Sequence, residues 1–188
     1  MTIARVALGV WLGFMLLLGS ALLAKHVVAL PEPTKDRHLA ASLSALRAPS
    51  SKPRWLAVHV LYSECRCSQR VVAHLISTTR PPAWEEILLW VGNGAPDPAL
   101  DRNFHVKRVS SAELARLGVE SAPMLVVLDP EDGIRYVGGY TTRKQGPVIE
   151  DLHIMQDAER GNAFSALPIL GCAMSDRLKR ELSILPGL

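Results

Sequence analysis

The chain has 188 residues, a net charge of +3 and a hydrophobic fraction of 48%. This length suits one ordinary domain plus an additional segment, because domains typically run to about 100–150 residues. The lysines and arginines are scattered, with no run longer than Lys179-Arg180, so the composition argues against a nucleic-acid partner.

The N-terminal region predicts a helix that inserts into a membrane. Residues 6–24 contain no charge; Arg5 precedes the first of them, Val6, and Lys25 follows the last, Ala24. Nineteen residues at 1.5 Å each give about 28 Å, close to the ~30 Å hydrocarbon core of a bilayer. A cleaved signal peptide is the alternative, although its apolar region usually has only ~7–15 residues. The flanking positive charges favour neither orientation.

The chain divides into four predicted parts. Residues 1–29 form the anchor, and residues 30–53 are predicted to be a proline-bracketed tether with a short helix-compatible stretch. A folded domain is expected over residues 54–157. Residues 158–188 form a C-terminal extension with a helix that carries Cys172 near its start.

The domain shows an alternating order of predicted elements. Trp55–Tyr62 is a nearly continuous apolar strand, followed by a turn over 63–68 and a helix over 69–78. Further strands are predicted at 87–91 and 104–109, and Ser110 and Glu113 form a capping-box pattern that opens a short helix. Strands at 124–128 and 134–137 then flank a glycine-containing turn and precede another helix. This order predicts an α/β fold with a mixed sheet and helices on both faces.

Two cysteines lie where the first strand gives way to the first helix of this domain. Cys65 and Cys67 there meet unpaired N–H groups and the positive end of the helix dipole, which favour thiolate. Arg66, between them, adds a cation. The pattern indicates a redox or metal-binding function rather than inert structural cysteines.

At these residues the sequence resembles the thioredoxin-like superfamily. One motif is VHVLYSEC at 58–65, a strand that leads to a cysteine, and the other is ESAPMLVV at 120–127, which looks like the cis-proline loop of that family. The resemblance covers approximately residues 55–156. It implies that Pro123 is cis and faces the cysteine turn, and that Ala122, Pro123 and Arg66 bind substrate. Membrane-tethered members of the family suggest a single-pass protein of the bacterial inner membrane, with its domain in the periplasm.

The cysteine motif departs from the family pattern. One residue, rather than two, separates Cys65 from Cys67, and Glu64 replaces the usual preceding aromatic residue. Residues two apart can reach the Cα separation of ~4.4–6.8 Å that a disulfide tolerates, but the ring would be strained. A metal or an external disulfide therefore competes with closure between these two cysteines.

Two further residues are candidates for the site. His59 occupies the strand position where the family often keeps a buried acid, which implies a proton relay to the thiols; a core histidine bonded to a backbone carbonyl is the alternative. Cys172 is the odd cysteine, which suggests a free thiol, an intermolecular partner or a switching partner redox-linked to Cys65 or Cys67. A buried packing residue is the alternative.

Three functions remain open at this point. The first is a tethered thiol–disulfide oxidoreductase without a cofactor, acting on protein thiols outside the cytoplasm, in which Cys65 attacks and Cys67 resolves. The second is a protein that binds or delivers copper or another soft metal through Cys65 and Cys67, with Cys172 or His59 completing the site. The third is a redox-inert accessory subunit of a membrane complex.

Overall fold

The structure is a computed structural model that describes residues 3–27, 29–49, 53–144, 146–162 and 165–183. Its helices are α1 (Ile3–Val27), α2 (Arg37–Ser44), α3 (Arg66–Ser77), α4 (Ser111–Ala115), α5 (Asp151–Glu159) and α6 (Asp176–Leu182), with a short 3-10 helix at Pro98–Arg102. Its strands are β1 (Trp55–Tyr62), β2 (Trp84–Val91), β3 (His105–Arg108), β4 (Ser121–Ala122), β5 (Met124–Leu128), β6 (Ile134–Gly138) and β7 (Cys172–Ala173).

Five strands form a mixed sheet in the order β3-β2-β1-β5-β6. β1 and β2 are parallel, as are β2 and β3, whereas β5 runs antiparallel to both β1 and β6. β1 lies at the centre with both faces covered, which is why its sequence is nearly continuous in apolar residues. β4 and β7 form a separate antiparallel pair. The predicted mixed α/β sheet is confirmed.

Helices cover both faces of the sheet. One hydrophobic cluster joins alternate residues of the central strands to α2 and α4, and the other joins the intervening residues to α3 and α5. Because successive strand residues point to opposite faces, Val58 and Val60 enter the first cluster and Ala57 and Leu61 the second. The cysteine turn at the end of β1 lies at the edge of this double-sided core.

The segment predicted to be a tether is instead partly built into the domain. Leu30, Leu39 and Leu43 are buried in the first cluster, and the N–H of Leu30 donates to the carbonyl of Ile169 at 2.8 Å. The three leucines remove apolar surface from water on the sheet, which a free tether would leave exposed. Only two residues separate the end of α1 from Leu30.

The C-terminal extension also packs on the domain. Ile169, Met174 and Leu178 are buried in the structure, and the first two belong to the first cluster. α6 begins after Ser175, whose hydroxyl accepts from the N–H of Leu178 at 3.1 Å as an N-cap. The extension is therefore held against the sheet through buried apolar side chains.

Some element boundaries differ from those predicted. α3 begins at Arg66, three residues earlier than expected, because Cys65 has extended N-cap geometry and its carbonyl accepts from Gln69 N–H at 3.0 Å. β2 begins at Trp84, three residues earlier than expected, because the buried acids Glu85 and Glu86 interrupt the apolar pattern at its start. The predicted capping box at Ser110 and Glu113 is confirmed.

The N-terminal helix α1 is long and apolar enough to cross a membrane. The stretch Ile3–Ser20 satisfies both criteria over 18 residues, and none of it is buried against the domain. Its apolar side chains, such as Leu16 and Leu17, lie on the surface of the protein. A helix that is apolar on its exposed surface is more stable in lipid than in water.

Candidate functional site

Cys65 forms a disulfide with Cys172, and Cys67 is a free thiol. The two bonded cysteines are 107 residues apart in the sequence and their Cα atoms are 5.9 Å apart. Cys65 is the N-cap of α3 and has no exposed surface. The ring between Cys65 and Cys67 that the sequence allowed is therefore replaced by a long-range bond to the third cysteine.

The short strand β7 brings Cys172 to this position. Cys172 pairs with Ala122 and Ala173 pairs with Ser121 in an antiparallel register. The sulfur of Cys65 lies 3.7 Å from the carbonyl oxygen of Ala122. The disulfide thus lies directly against the strand that ends at the proline loop.

The peptide bond between Ala122 and Pro123 is cis, as the sequence predicted. Pro123 shares a surface cleft with Cys67, so the proline loop faces the cysteine turn, which was also predicted. The cleft is further lined by Arg70, Val71, Tyr140, Thr141, Ile149 and Leu170. Cys67, the second residue of α3, is half-buried at this cleft.

The charged residues beside the cysteines, Glu64 and Arg66, lie on the surface. Arg66, the first residue of α3, is exposed. The carboxylate of Glu64 accepts from the N–H of Asn93 at 3.1 Å, and this hydrogen bond lowers the pKa of Glu64. The negative charge of Glu64 is therefore directed toward the loop after β2.

Gly171 makes the closest approach between the C-terminal segment and the proline loop. A Cβ atom at this position would lie 1.9 Å from the carbonyl oxygen of Ala122 and 2.6 Å from Cδ of Pro123. A similar close approach occurs at Gly139, where a Cβ would lie 2.0 Å from the carbonyl oxygen of Pro168. Glycine is needed at both positions because any side chain would overlap backbone atoms.

Glu120 secures the segment beyond the disulfide. Its carbonyl accepts from the N–H of Met174 at 2.7 Å, and its carboxylate accepts from the hydroxyl of Ser175 at 2.8 Å. The carboxylate also forms an ion pair with Arg177, which lowers the pKa of Glu120. These contacts fix the residues that follow Cys172.

His59 is completely buried and contacts two side chains rather than a sulfur or a backbone carbonyl. Its Nδ1 is 2.9 Å from the hydroxyl of Tyr140, and its Nε2 is 3.0 Å from Glu86. The hydroxyl of Tyr140 also lies within hydrogen-bond distance of the carbonyl of Met124, at 3.3 Å. Tyr140 connects His59 to the cleft that contains Cys67.

A buried ionic network extends from His59. Arg80 donates to Glu86 at 2.5 Å and to Asp151 at 2.6 Å, and His74 lies 2.8 Å from Asp151. Burial raises the pKa of Asp151, but the hydrogen bond from His74 and the charge of Arg80 outweigh it and lower the pKa to about 2. Burial likewise opposes ionisation of Glu86, whereas His59 and Arg80 lower its pKa overall.

Sequence reasoning missed most of this network and the contact at Gly171. The available signal was the pair of acids inside the apolar run of β2, because a buried carboxylate requires a cationic partner. Arg80, in the loop after α3, and Asp151, the first residue of α5, gave no comparable pattern. The Gly-Cys pair at 171–172 was visible, but its close approach to the proline loop was not.

The metal-binding alternative has limited support in this geometry. Among the residues that the structure describes, no group of three or more His, Cys, Asp or Glu side chains is placed to hold a metal ion. A Cu(I) site would require the thiolate of Cys65, and that sulfur is bonded to Cys172. His59, the other suggested ligand, already contacts Tyr140 and Glu86.

No family model matches the sequence, and no curated protein matches it. Among solved structures, the chain resembles an uncharacterised conserved protein from Geobacillus kaustophilus, with a TM-score of 0.51 and 12% identity over 65% of this chain and 77% of the other. A hypothetical protein from Sinorhizobium meliloti 1021 gives a TM-score of 0.49 and 10% identity, over 79% of this chain and 96% of the other. The thioredoxin domain of a thiol-disulfide oxidoreductase from Bacteroides vulgatus gives a TM-score of 0.39 and 12% identity, over 60% of this chain and 81% of the other. At these identities the likeness concerns the fold. The strand order and the cis-proline before β5 make that fold thioredoxin-like.

Proposed function

We propose that this protein is a membrane-anchored thiol–disulfide oxidoreductase whose redox pair is Cys65 and Cys172. One observation carries the proposal: the disulfide lies at the start of α3 and against the strand that ends at the cis-proline loop. When the bond is reduced, the backbone N–H groups and dipole of the helix start stabilise the Cys65 thiolate, which is the nucleophilic form.

The exchange proceeds through a mixed disulfide. The Cys65 thiolate attacks a substrate disulfide; a new bond joins the two sulfurs, and the other substrate sulfur leaves as a thiolate. The Cys172 thiolate then attacks the Cys65 sulfur, which forms the internal disulfide and releases the second substrate thiolate. The substrate gains two electrons and the chain loses two; the same steps in reverse oxidise a substrate dithiol.

This scheme changes the role that the sequence suggested for Cys67. Cys172, rather than Cys67, resolves the mixed disulfide, because it is the residue bonded to Cys65. Cys67 remains a thiol at the cleft beside Pro123. His59 acts through Tyr140, which lines the same cleft, by donating or accepting a proton during exchange.

The proposed location is the periplasmic side of a bacterial inner membrane, with α1 as a single-pass anchor. The length and apolar surface of α1 support the anchor. A disulfide that cycles between two states suits a compartment outside the reducing cytoplasm. The proposed substrate class is protein thiols and disulfides. The exposed apolar side chains of α1 could also contact a partner protein within the membrane.

A redox titration of the full chain in detergent tests the assignment. The protein is equilibrated over a range of glutathione ratios and then alkylated with a mass tag that counts thiols. We expect one thiol under oxidising conditions and three under reducing conditions, with Cys65 and Cys172 appearing together. The Cys67→Ser variant should retain this transition and the Cys172→Ser variant should lose it. The opposite pattern would assign the pair to Cys65 and Cys67.

The accessory-subunit alternative is favoured by one observation, the complete burial of Cys65 beneath the C-terminal segment. A disulfide with a purely structural role typically has a potential below about −300 mV and resists glutathione. Failure of the most reducing buffer to expose Cys65 and Cys172 would therefore favour this alternative. Near-stoichiometric copper in the reduced sample would instead favour metal delivery.

A further inference from the structure

The C-terminal segment 170–174 lies on the edge of β4 in the position of a bound extended peptide. Its residues Ala173 and Cys172 pair antiparallel with Ser121 and Ala122, and the cysteine is disulfide-bonded to Cys65. This combines strand addition with a covalent bond between the sulfurs, which is the arrangement that a mixed disulfide with an extended substrate requires.

We propose that segment 170–174 is an internal copy of the substrate, and that protein substrates of Cys65 bind the same edge with a glycine directly before their reactive cysteine. The inference rests on the proposed oxidoreductase function and deepens it by naming the substrate class. The recognised feature is an extended segment with an apolar residue, then glycine, then cysteine.

The glycine requirement follows from the space at residue 171. A Cβ there would lie 1.9 Å from the Ala122 carbonyl oxygen and 2.6 Å from Cδ of Pro123. Neither atom belongs to a flexible side chain: one is backbone in β4, and the other is in a proline ring whose φ is fixed. A substrate with alanine at this position would have to move away from β4 and weaken its strand pairing.

The residues on either side of the glycine add less stringent contacts. Leu170 lines the cleft together with Pro123 and Tyr140, which favours an apolar side chain two residues before the cysteine. Met174, two residues after the cysteine, is buried, and its N–H donates to the carbonyl of Glu120. A substrate segment therefore needs an accessible stretch of about five residues.

An external substrate and the internal segment compete for one edge. Ile169 and Met174 hold the segment in the core on both sides of Cys172, so the segment must withdraw before a substrate can pair with β4. Reduction of the disulfide removes the covalent part of this attachment and leaves the non-covalent part. The fraction of molecules whose β4 edge can bind a substrate then equals the fraction in which the segment has detached.

Two activated peptides test the glycine requirement in the full chain in detergent. The variant with Cys67→Ser and Cys172→Ser leaves Cys65 as the single cysteine, because the chain has 3 in all. The peptides are Leu-Gly-Cys-Ala-Met and Leu-Ala-Cys-Ala-Met, each with thionitrobenzoate bound to the cysteine sulfur as a disulfide. The Cys65 thiolate attacks the peptide sulfur, the new disulfide forms, and coloured thionitrobenzoate leaves with the electron pair.

We expect the alanine peptide to react at least roughly tenfold more slowly than the glycine peptide, in line with the typical cost of overpacking. The internal segment competes equally with both peptides, so it slows both reactions without changing their ratio. The small disulfide of thionitrobenzoate with itself provides the control for the reactivity of Cys65.

Each other outcome has a separate meaning. Equal rates for the two peptides would overturn the substrate inference and leave the oxidoreductase function standing. Failure of all three disulfides to react would show that Cys65 does not exchange, and both proposals would fall together.

Discussion

At the scale of single residues, the buried charges beside the cleft are unusual for a protein interior. The carboxylates of Glu86 and Asp151 both pair with the guanidinium of Arg80. His59 contacts Glu86, and the partly exposed His74 contacts Asp151. Paired and fully hydrogen-bonded charges of this kind can be tolerated in the core, whereas loss of one partner leaves an uncompensated charge. The network also sets the orientation of Tyr140 through His59.

The Asp151→Asn substitution should reveal the cost of breaking this network. It removes a buried carboxylate that pairs with both Arg80 and His74, so we expect the free energy of unfolding to fall by about 3–5 kcal/mol. Denaturant unfolding followed by tryptophan fluorescence measures the change. The control is Asp101→Asn, an exposed residue, which should change stability by less than about 0.5 kcal/mol. A small effect at Asp151 would show that its ion pairs are offset by the cost of burial.

The same carboxylate predicts a dependence of stability on pH. The pKa of Asp151 is lowered to about 2 in the folded chain, against an ordinary value near ~3.9. Its contribution, about 2 kcal/mol, is fully present above the ordinary value and is lost as pH falls toward the folded pKa. Unfolding measured at several pH values should show stability decreasing between about pH 4 and pH 2. The decrease should be smaller in the Asp151→Asn variant, and an identical decrease in both proteins would assign it to other groups.

At the scale of elements, the strand β7 has only two residues, yet its pairing with β4 determines how easily the disulfide is reduced. It places Cys172 opposite Ala122, and buried residues on both sides hold it there. Two thiols fixed close together have a high effective concentration, which favours the disulfide over the dithiol. Any change that lifts β7 from β4 should therefore make the disulfide easier to reduce.

The Gly171→Ala substitution tests this link. The added Cβ would overlap the Ala122 carbonyl, so β7 must shift, and we expect the equilibrium constant for reduction to rise by roughly tenfold. The glutathione titration with mass-tag counting measures it. The matched control is Gly19→Ala in α1, where a Cβ has no atom within 4 Å and no change is expected. An unchanged midpoint for Gly171→Ala would show that the strand adjusts without weakening the pairing.

At the scale of the whole molecule, the apolar helix α1 and the domain are close together in sequence. α1 ends at Val27, and Leu30 is already bonded to Ile169 in the folded part. The tether first expected for residues 30–53 would hold the domain a short way off the membrane surface. With much of that segment folded onto the sheet, we expect the domain to stay near the membrane surface.

Membrane topology provides the corresponding prediction. We expect the mature chain to fractionate with membranes and to retain residues 6–24, because its span of about 28 Å matches the bilayer core. In intact spheroplasts, a thiol label that cannot cross the membrane should modify Cys67, the free thiol, and the Cys67→Ser variant should remain unlabelled. A mature N-terminus near Leu22 would indicate a cleaved signal peptide. Labelling that requires lysis would place the domain in the cytoplasm.

The sequence by itself determined the features that depend on neighbouring residues. The apolar helix α1, the central strand β1, the cysteine at the helix start and the capping box at Ser110 follow from periodicity and capping, which act over a few residues. The two motifs that resemble thioredoxin-like proteins also placed the cis-peptide at Pro123. These signals were sufficient for the fold class and for one half of the site.

Only the tertiary structure decided which groups meet. The partner of Cys65 lies 107 residues away, and spacing in sequence carries no information about distance in space at that range. The same reason applies to Leu30, Leu39 and Leu43, whose pattern suits either a short free helix or one packed on a sheet. It applies as well to Arg80 and Asp151, which are brought together because α3 and α5 cover the same face of the sheet. Burial and long-range pairing depend on how complete layers pack, and that packing is specified by the whole chain at once.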